Sequence, residues 1–256
     1  MSKKIQNDSK YLINKKTELN DLQKKLKLYD ILKNTNLKKD VLIDNLNLFF
    51  DRRTLSRILN FNELFNKQTD LSGNIALFGV YYGRDLINLL HLSQIYQPYN
   101  LAKKIFAFDT FSGIANSQAK QDKANNDSSY YVPKKYEKYL QNICDIQELY
   151  WPISNRQIKI IKGNVLKTVP QFLKKNKNIF FSFVYFDLDV YKPTYQSLIK
   201  LEPYLNKGCV IAFDQFNHTD WPGESIAIKQ FFKRTNKKFK IKYTKFKPQC
   251  SYFIFE

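Results

Sequence analysis

The sequence predicts an α/β fold in which a doubly wound parallel sheet carries helices on both faces. From residue 74 to the C-terminus, short runs of strand-forming residues alternate with segments of helical periodicity, as they do in successive βαβ units. The polar residues that interrupt the apolar runs fall at the predicted carboxyl ends of the strands. This is the edge at which open α/β sheets bind their ligands.

The predicted elements follow one another in a regular order. The core strands comprise residues 74–80, 104–111, 157–164, 179–189 and 208–216. The helices between them comprise residues 83–96, 169–176, 193–205 and 223–234. Pro193 is expected at a helix start, where its missing N–H group has no intrahelical partner to lose. Residues 238–244 and 249–256 are predicted to form a terminal pair of strands.

The chain is predicted to consist of an N-terminal helical extension, residues 1–70, and a main domain, residues 71–256. Residues 3–40 are rich in lysine and carry leucines at helical spacing, which predicts one or two amphipathic helices. Residues 115–150 interrupt the alternation with a polar half followed by a helical half. A long insertion favours a lid over a binding cleft, and a surface excursion is the alternative.

The composition indicates a globular protein from a reducing compartment. Hydrophobic residues make up 43% and aromatic residues 16% of the chain, which excludes a disordered tail. The three cysteines, Cys144, Cys209 and Cys250, show no metal-binding spacing. The polar N-terminus lacks the apolar segment of a signal peptide, and no stretch reaches the roughly 18 apolar residues of a membrane helix. We therefore expect a cytoplasmic protein without a membrane span.

The net charge of +19 allows two interpretations. Lysine pairs occur along the whole chain, which favours a solvated basic surface. An acidic partner, such as a nucleotide, a nucleic acid or a membrane surface, is the alternative. The densest basic stretch, residues 233–247, interleaves lysines with aromatic residues. Its alternation is also that of an edge strand with a lysine-rich solvent face.

A glycine turn follows the first predicted strand in the segment FGVYYG. Gly79 and Gly83 frame the turn, and a helix is predicted directly after it. Glycine lets the backbone approach a ligand closely, and a helix N-terminus favours negative charge. Asp109 ends the second strand, where an acid in nucleotide-binding sheets accepts hydrogen bonds from a ribose diol. A turn or capping role is the alternative for Asp109.

Carboxylates follow the fourth and fifth predicted strands. Asp187 and Asp189 lie one residue apart in YFDLDVYKPT, and Asp214 is followed by Gln215 in IAFDQF. Oxygen ligands of this kind suit Mg²⁺, Mn²⁺ or Ca²⁺, whereas the two histidines of the chain argue against a zinc site. Caps of the following helix and loop are the alternative for these acids. His218 is either a base beside a metal or a loop histidine.

Several segments, taken in order, resemble the macrocin O-methyltransferase family: LFGVYYGRD, FAFDTFSG, YFDLDVYKPT, LNKGCVIAFDQFNH and WPGES. The likeness runs from about residue 40 to the C-terminus, and its last two motifs are more specific than the glycine turn. The resemblance implies a Rossmann-like methyltransferase sheet, mostly parallel, whose last strand is antiparallel. It also implies S-adenosylmethionine as the cofactor and a sugar of a natural product or surface polysaccharide as the acceptor.

The resemblance further implies which residues form the site. The cofactor would contact the glycine turn and the ends of the second, third and fourth strands, at Gly79, Val80, Tyr81, Gly83, Asp109, Thr110, Phe111, Asn164 and Asp187. A Mg²⁺ ion would be held by Asp189, Asp214 and Gln215 and would bind two sugar oxygens. Asp189 or His218 would take the proton of the hydroxyl that attacks the sulfonium methyl group.

Three positions depart from the family pattern. Leu77 stands where an acid usually precedes the glycine turn. Gln215 replaces the second acid after the fifth strand, and Asn164 replaces the acid that meets the adenine amine. These departures are compatible with a weaker cofactor site, a shifted substrate or a chain that has lost catalysis.

The predicted function is methyl transfer to a sugar hydroxyl, on a nucleotide-linked sugar, a polysaccharide or a natural-product glycan. Two alternatives stay open: a nucleic-acid methyltransferase or binder, and a non-catalytic relative that serves as an interaction protein. A small-molecule acceptor is favoured over nucleic acid, and the N-terminal helices are compatible with a homodimer.

Overall fold

The computed structural model describes residues 15–114, 122, 130–150, 157–247 and 249–256. The chain divides into two compact units, one ending at Arg57 and the other comprising Ile58–Glu256. Most of the polar half of the predicted insertion lies outside the described residues, so the lid stays a prediction. Within the described part of the chain, no helix has both the length and the apolar character needed to cross a membrane.

The first unit is helical. Helix α1 comprises Lys15–Lys33, helix α2 comprises Lys39–Asp44, and a 3₁₀ turn follows at Leu46–Phe49. Helix α3, Arg52–Phe65, begins in this unit and ends in the next. Asp51 caps its start, because the Asp51 Oδ1 atom accepts a hydrogen bond of 2.8 Å from the backbone N–H of Thr54.

The second unit contains the alternating strands and helices. Its strands are β1 Asn74–Phe78, β2 Ile105–Asp109, β3 Ile158–Lys162, β4 Phe181–Phe186, β5 Leu205–Phe213, β6 Lys242–Tyr243 and β7 Ser251–Ile254. Its remaining helices are α4 Arg84–Tyr96, α5 Tyr136–Leu149, α6 Val165–Lys175, α7 Tyr191–Leu201 and α8 Gly223–Thr235. A 3₁₀ turn at Glu202–Tyr204 joins α7 to β5.

The strands form one seven-stranded sheet in the order β3-β2-β1-β4-β5-β7-β6. Strands β1 to β5 pair in parallel, whereas β7 pairs antiparallel with both β5 and β6. The order reverses at β1, from which the chain steps outward first to β2 and β3 and then to β4 and β5. The α/β, mostly parallel sheet with an antiparallel last strand is therefore confirmed.

Side-chain alternation along the strands produces an apolar core on each face of the sheet. In β1, Ile75 and Leu77 enter the core on one face, and Ala76 and Phe78 enter the core on the other. Phe78 stacks at 4.8 Å on the rings of the neighbouring strands, those of Phe108 and Phe186. Leu77, which stands where the family pattern has an acid, is fully buried and packs in the first of these cores.

The basic stretch near the C-terminus forms the free edge of the sheet. Strand β6 pairs only with β7 among the described strands, and both Lys242 and Tyr243 are exposed. This agrees with the edge-strand interpretation of the lysine alternation. One lysine of the same stretch, Lys247, instead points inward, as described below.

Candidate active site

The glycine turn lies directly against the segment that follows β4. Gly79 and Gly83 have φ values of +86° and +87°, a left-handed region that glycine adopts without strain. The Gly79 N–H donates to the Phe108 carbonyl at 3.0 Å. A Cβ atom at Gly79 would collide with the carbonyl oxygen of Asp187. The glycine turn and the segment after β4, both predicted to contact the cofactor, are therefore in contact with each other.

Asp109 orders the backbone of two turns, the glycine turn after β1 and the turn after β2. Its Oδ2 atom accepts hydrogen bonds from the N–H groups of Val80, at 2.6 Å, and Tyr81, at 2.8 Å. Its Oδ1 atom accepts one from the N–H of Phe111 at 2.7 Å. The neighbouring Thr110 hydroxyl donates to the Gly113 carbonyl at 2.7 Å and closes the second turn. The carboxylate is half-buried, and it has lone pairs beyond those used by these three donors.

Asn164 lies at the end of the third strand, as predicted, but its side chain also has a structural role. Its Oδ1 atom accepts a hydrogen bond of 3.0 Å from the Leu166 N–H and so caps helix α6. An amide oxygen that caps a helix in this way has one lone pair left for a ligand.

The two acids of YFDLDVYKPT differ in backbone conformation and in backbone hydrogen bonding. The Asp187 N–H donates to the Phe78 carbonyl at 2.8 Å and continues the pairing of β4 with β1. Asp189 has a φ of 63° and is only 6% exposed. Because a non-glycine residue is strained in the left-handed region, the surrounding structure must hold Asp189 in place.

Helix α7 begins at Tyr191, two residues before Pro193, so the predicted helix start at Pro193 is wrong. Proline tolerates the first turn of a helix and does not need its first position, because the backbone N–H groups of that whole turn have no intrahelical acceptor. The Tyr191 N–H donates to Asp122 Oδ1 at 2.8 Å, so the acid at this helix start comes from the insertion.

Asp214 ends β5 and is held by two long-range partners. Its Oδ1 atom accepts a hydrogen bond of 2.5 Å from the Tyr185 hydroxyl. Its Oδ2 atom lies 2.5 Å from the Nζ atom of Lys247. The Asp214 side chain is 5% exposed and that of Lys247 is 18% exposed, so this ion pair is largely shielded from water.

Gln215 places an unused oxygen beside this pair. Its Oε1 atom is buried and has no hydrogen-bond partner among the residues that the structure describes. Its backbone N–H donates to Glu224 Oε2 at 3.0 Å. A buried amide oxygen without a partner is costly, and a cation or a ligand hydroxyl would satisfy it.

Glu224, in the WPGES segment, is a residue to which the sequence assigned no role. It is fully buried, and its carboxylate joins the loops that follow β4 and β5. Its Oε1 atom accepts from the N–H groups of Leu188, at 3.0 Å, and Asp189, at 3.3 Å, while Oε2 accepts from Gln215. Burial, together with the nearby Asp189 and Asp187 carboxylates, raises the pKa of Glu224 well above its usual value.

His218 borders an apolar pocket of about 480 Å³ rather than a cluster of acids. The pocket is lined by Phe216, Ile226 and Phe232, among others. The Nδ1 atom of His218 lies 3.2 Å from the Asp220 N–H and accepts its hydrogen bond. The proton of the neutral ring then lies on Nε2, so the basic nitrogen is already engaged.

A row of aromatic rings runs from the glycine turn to the start of α8. Tyr81 lies edge-on to Tyr130 at 5.9 Å, and Tyr130 lies edge-on to Trp221 at 6.3 Å. Tyr81 is 41% exposed. Partly exposed rings of this kind provide flat apolar surface beside polar groups, as in many small-molecule sites.

The donor set favours a hard cation over zinc. Carboxylate and amide oxygens are the ligands that Mg²⁺, Mn²⁺ and Ca²⁺ prefer, and the unpartnered Gln215 Oε1 supplies one of them. The Lys247 ammonium beside Asp214 shows that this position attracts positive charge. Asp189, Asp214 and Gln215 therefore fit such an ion in kind. Among the described residues, however, no group of at least three His, Cys, Asp or Glu side chains is arranged to hold a metal.

Comparison with protein families identifies the family to which the chain belongs. The family model for Macrocin-O-methyltransferase (TylF) matches residues 51–253. A comparison with curated proteins gives no match.

Solved structures show the same relationship. The calicheamicin methyltransferase CalS11 is 28% identical, with a TM-score of 0.86 over 99% of this chain and 98% of its own. The apo structure of CalS11, described as a TDP-rhamnose 3′-O-methyltransferase, gives a TM-score of 0.80 over 97% of this chain and 99% of its own. The O-methyltransferase NovP, at 15% identity, shares the fold with a TM-score of 0.58, over 78% of this chain and 79% of its own.

Proposed function

Because the chain belongs to the macrocin O-methyltransferase family, we propose that it transfers a methyl group from S-adenosylmethionine to a sugar hydroxyl. The chain is an S-adenosylmethionine-dependent O-methyltransferase. The acceptor is inferred from the similarity to CalS11, which extends over nearly the whole of both chains. The acceptor class we propose is a nucleoside-diphosphate sugar, and a polysaccharide or natural-product glycan is the alternative within the same chemistry.

The cofactor is proposed to lie between the glycine turn and the end of β2. Gly79 and Gly83 permit close approach of the backbone, and helix α4 begins with Arg84 directly after them. Asp109 fixes both turns and would accept hydrogen bonds from the ribose hydroxyls. Asn164 would accept from the adenine amine with its remaining lone pair.

Asp189 is proposed as the general base. Its carboxylate would take the proton of the acceptor hydroxyl while the hydroxyl oxygen attacks the methyl carbon in line. The bond between sulfur and the methyl carbon breaks, its electrons stay on sulfur, and S-adenosylhomocysteine leaves. Burial of Asp189 at 6% exposure keeps competing water away from the base. His218 is the second candidate for this role, although its Nδ1 atom already accepts a hydrogen bond.

A divalent cation, Mg²⁺ or its substitutes Mn²⁺ and Ca²⁺, is proposed to be held by Asp189, Asp214 and Gln215. When bound, such an ion would lower the pKa of the acceptor hydroxyl and orient it. Glu224 holds the backbone of Asp189 and Gln215 in place and so positions two of these three residues. Tyr185 fixes the carboxylate of the third, Asp214.

The aromatic row of Tyr81, Tyr130 and Trp221 is proposed to contact the acceptor. Flat rings suit the apolar face of a sugar or the face of a nucleobase. The net charge of +19 favours an acceptor that carries phosphate groups.

The experiment that tests the proposal is a methyl-transfer assay on nucleoside-diphosphate sugars. The protein is incubated with S-adenosylmethionine, Mg²⁺ and a panel of TDP-, UDP- and GDP-linked hexoses and deoxyhexoses. We expect S-adenosylhomocysteine release together with one added methyl group on a sugar of the panel, detected by mass spectrometry. A single-stranded oligonucleotide serves as the control acceptor. Methylation of the oligonucleotide but of none of the sugars would contradict the proposal.

A further inference from the structure

We propose that Lys247 is a tethered cation that competes with the divalent ion for Asp214, so that metal binding requires the lysine ammonium to leave. This inference rests on the proposed metal site of Asp189, Asp214 and Gln215. It concerns a residue that the sequence places in a basic surface stretch and to which the resemblance assigns no role.

The ammonium group contacts one of the two carboxylate oxygens through which Asp214 would bind a metal. Lys247 Nζ lies 2.5 Å from Asp214 Oδ2, at the short end of a charge-assisted contact. The other carboxylate oxygen, Oδ1, accepts from the Tyr185 hydroxyl. Both oxygens of Asp214 are therefore engaged before any metal binds.

The backbone of Lys247 is held in position. Its carbonyl oxygen accepts hydrogen bonds from the Thr244 hydroxyl, at 2.8 Å, and from the Cys250 N–H, at 2.8 Å. The Thr244 hydroxyl also contacts the side-chain oxygen of Asn60 in helix α3, at 2.5 Å. The turn before β7 thus fixes the backbone position from which the Lys247 side chain reaches Asp214. A side chain on such an anchor can move its ammonium group by changing rotamer while the backbone stays in place.

Glu224 is less available as a ligand than Asp214, because three backbone N–H groups already donate to its carboxylate. Both oxygens of Glu224 accept backbone hydrogen bonds. Gln215 carries no charge, so the three proposed ligands supply only the two carboxylates of Asp189 and Asp214. An ammonium group and a divalent cation at the same carboxylate oxygen repel each other strongly in a buried site. The metal and Lys247 are therefore alternatives at Asp214.

A purely structural ion pair makes a different prediction. If Lys247 only stabilised the fold, its removal would lower the free energy of unfolding and leave the Asp214 carboxylate without its positive partner. The affinity for a metal would then change only as much as it does when any other lysine of the segment is removed. Competition predicts a gain in metal affinity that is specific to this lysine and depends on the proposed ligands.

The test is a Mn²⁺ titration followed by electron paramagnetic resonance, with the full chain and without any acceptor. Three proteins are compared: the wild type, Lys247→Met, and Lys245→Met as the matched control. Lys245 lies in the same segment but is exposed, so its variant loses the same charge away from Asp214. We expect Lys247→Met to bind Mn²⁺ at least about tenfold more tightly than the wild type, and Lys245→Met to bind like the wild type.

A second variant tests whether the gain in Mn²⁺ affinity depends on the proposed metal ligands. Adding Asp189→Asn to Lys247→Met should return Mn²⁺ affinity to the wild-type level or below. Equal affinity in Lys247→Met and Lys245→Met would overturn the proposal, as would a gain that survives Asp189→Asn or an absence of Mn²⁺ binding in every variant. If Lys247→Met does not fold, Lys247→Gln keeps a polar partner for Asp214 and takes its place in the comparison. Because no acceptor is present, failure of the sugar assay leaves this result standing, and the reverse also holds.

Discussion

The two ends of the sheet both contain buried charge, but they use it in opposite ways. At the amino ends of the strands, Lys103 is 2% exposed, and its ammonium donates to Gln68 Oε1 at 2.7 Å and to Ser182 Oγ at 3.2 Å. At the carboxyl ends, Asp189, Asp214 and Glu224 are all less than a tenth exposed. At the amino ends, Lys103 has neutral partners, and the buried Glu148 carboxylate accepts hydrogen bonds from the backbone N–H groups of Gln157 and Ile158. At the carboxyl ends, the three buried carboxylates lie close enough to act on one another.

The two clusters also differ in the kind of polar atom that is left without a partner. Around Lys103, the Ser182 hydroxyl also donates to Gln68 Oε1, at 2.8 Å, so the partners of the lysine bond one another. At the carboxyl end, Gln215 Oε1 is left without a partner among the described residues. In the Lys103 cluster the atom without a partner among the described residues is a donor, Gln68 Nε2. An unused buried donor cannot bind a cation, whereas an unused buried amide oxygen can accept from a cation or from a ligand hydroxyl.

The largest effect is expected from Asp189→Asn. Asparagine tolerates the left-handed φ of 63° that Asp189 adopts, so the backbone should be retained. The variant removes the proposed base, and kcat for methyl transfer should fall by about 10²–10⁴-fold. Asp187→Asn is the control, because Asp187 lies in the same segment and is proposed to face the cofactor instead of the acceptor. It should first raise the Kd for S-adenosylmethionine, measured by calorimetry. Full activity in Asp189→Asn would show that another group takes the proton.

The next largest effect is expected in the pH dependence of protein stability, through Lys103 at the amino ends of the strands. Burial lowers the pKa of Lys103 from 10.5 to about 8. The unfolded chain therefore binds more protons than the folded one between these two pH values, and the contribution of this group to stability rises with pH through that window. Lys103→Met removes the titration. As the pH rises between these two pKa values, the free energy of unfolding of the wild type should increase by up to about 3 kcal/mol relative to that of Lys103→Met.

Urea unfolding at a series of pH values measures this difference. Lys207→Met, at an exposed position, is the control and should follow the wild type. A constant difference between wild type and Lys103→Met over the whole window would contradict the shifted pKa.

A smaller loss of stability is expected at the carboxyl end from Glu224→Gln. The side-chain NH₂ group of glutamine would face the backbone N–H of either Leu188 or Gln215. Because both groups are hydrogen-bond donors, the hydrogen bond on that side of residue 224 is lost. The free energy of unfolding should fall by about 1–3 kcal/mol. Because Glu224 positions Asp189, kcat should fall while KM for S-adenosylmethionine stays near its wild-type value. Glu202→Gln, in the 3₁₀ turn after α7, is the control. A loss of stability with unchanged kcat would make Glu224 purely structural.

The smallest effect is expected from His218→Gln. His218 Nδ1 already accepts a hydrogen bond from the Asp220 N–H, so this nitrogen is engaged before an acceptor hydroxyl could donate to it. Methyl transfer should fall by less than about tenfold, well short of the loss expected for removal of a general base. The measurement is the pH profile of kcat in both proteins. A profile whose acidic limb disappears in His218→Gln would instead identify His218 as the base.

The sequence by itself determined the α/β sheet, and it predicted the edge of the sheet at which we propose the site. The continuous apolar runs of β1, β2 and β4 are a local property of the sequence. The acids that end the strands must share an edge once those strands are parallel. Helix boundaries were less certain: α7 begins at Tyr191 instead of Pro193, because the acceptor for its first N–H comes from Asp122, far away in the chain.

Only the tertiary structure decided which charges meet. Lys247 looks like one more surface lysine of a basic stretch, and Glu224 like an ordinary acid at the start of a helix. Their roles depend on contacts with Asp214 and with the backbone of Asp189. Local periodicity reports which face of a strand or helix is buried, because burial follows the repeat of the element. It carries no information about which distant residue fills the space beside a buried carboxylate, since that depends on how the elements pack.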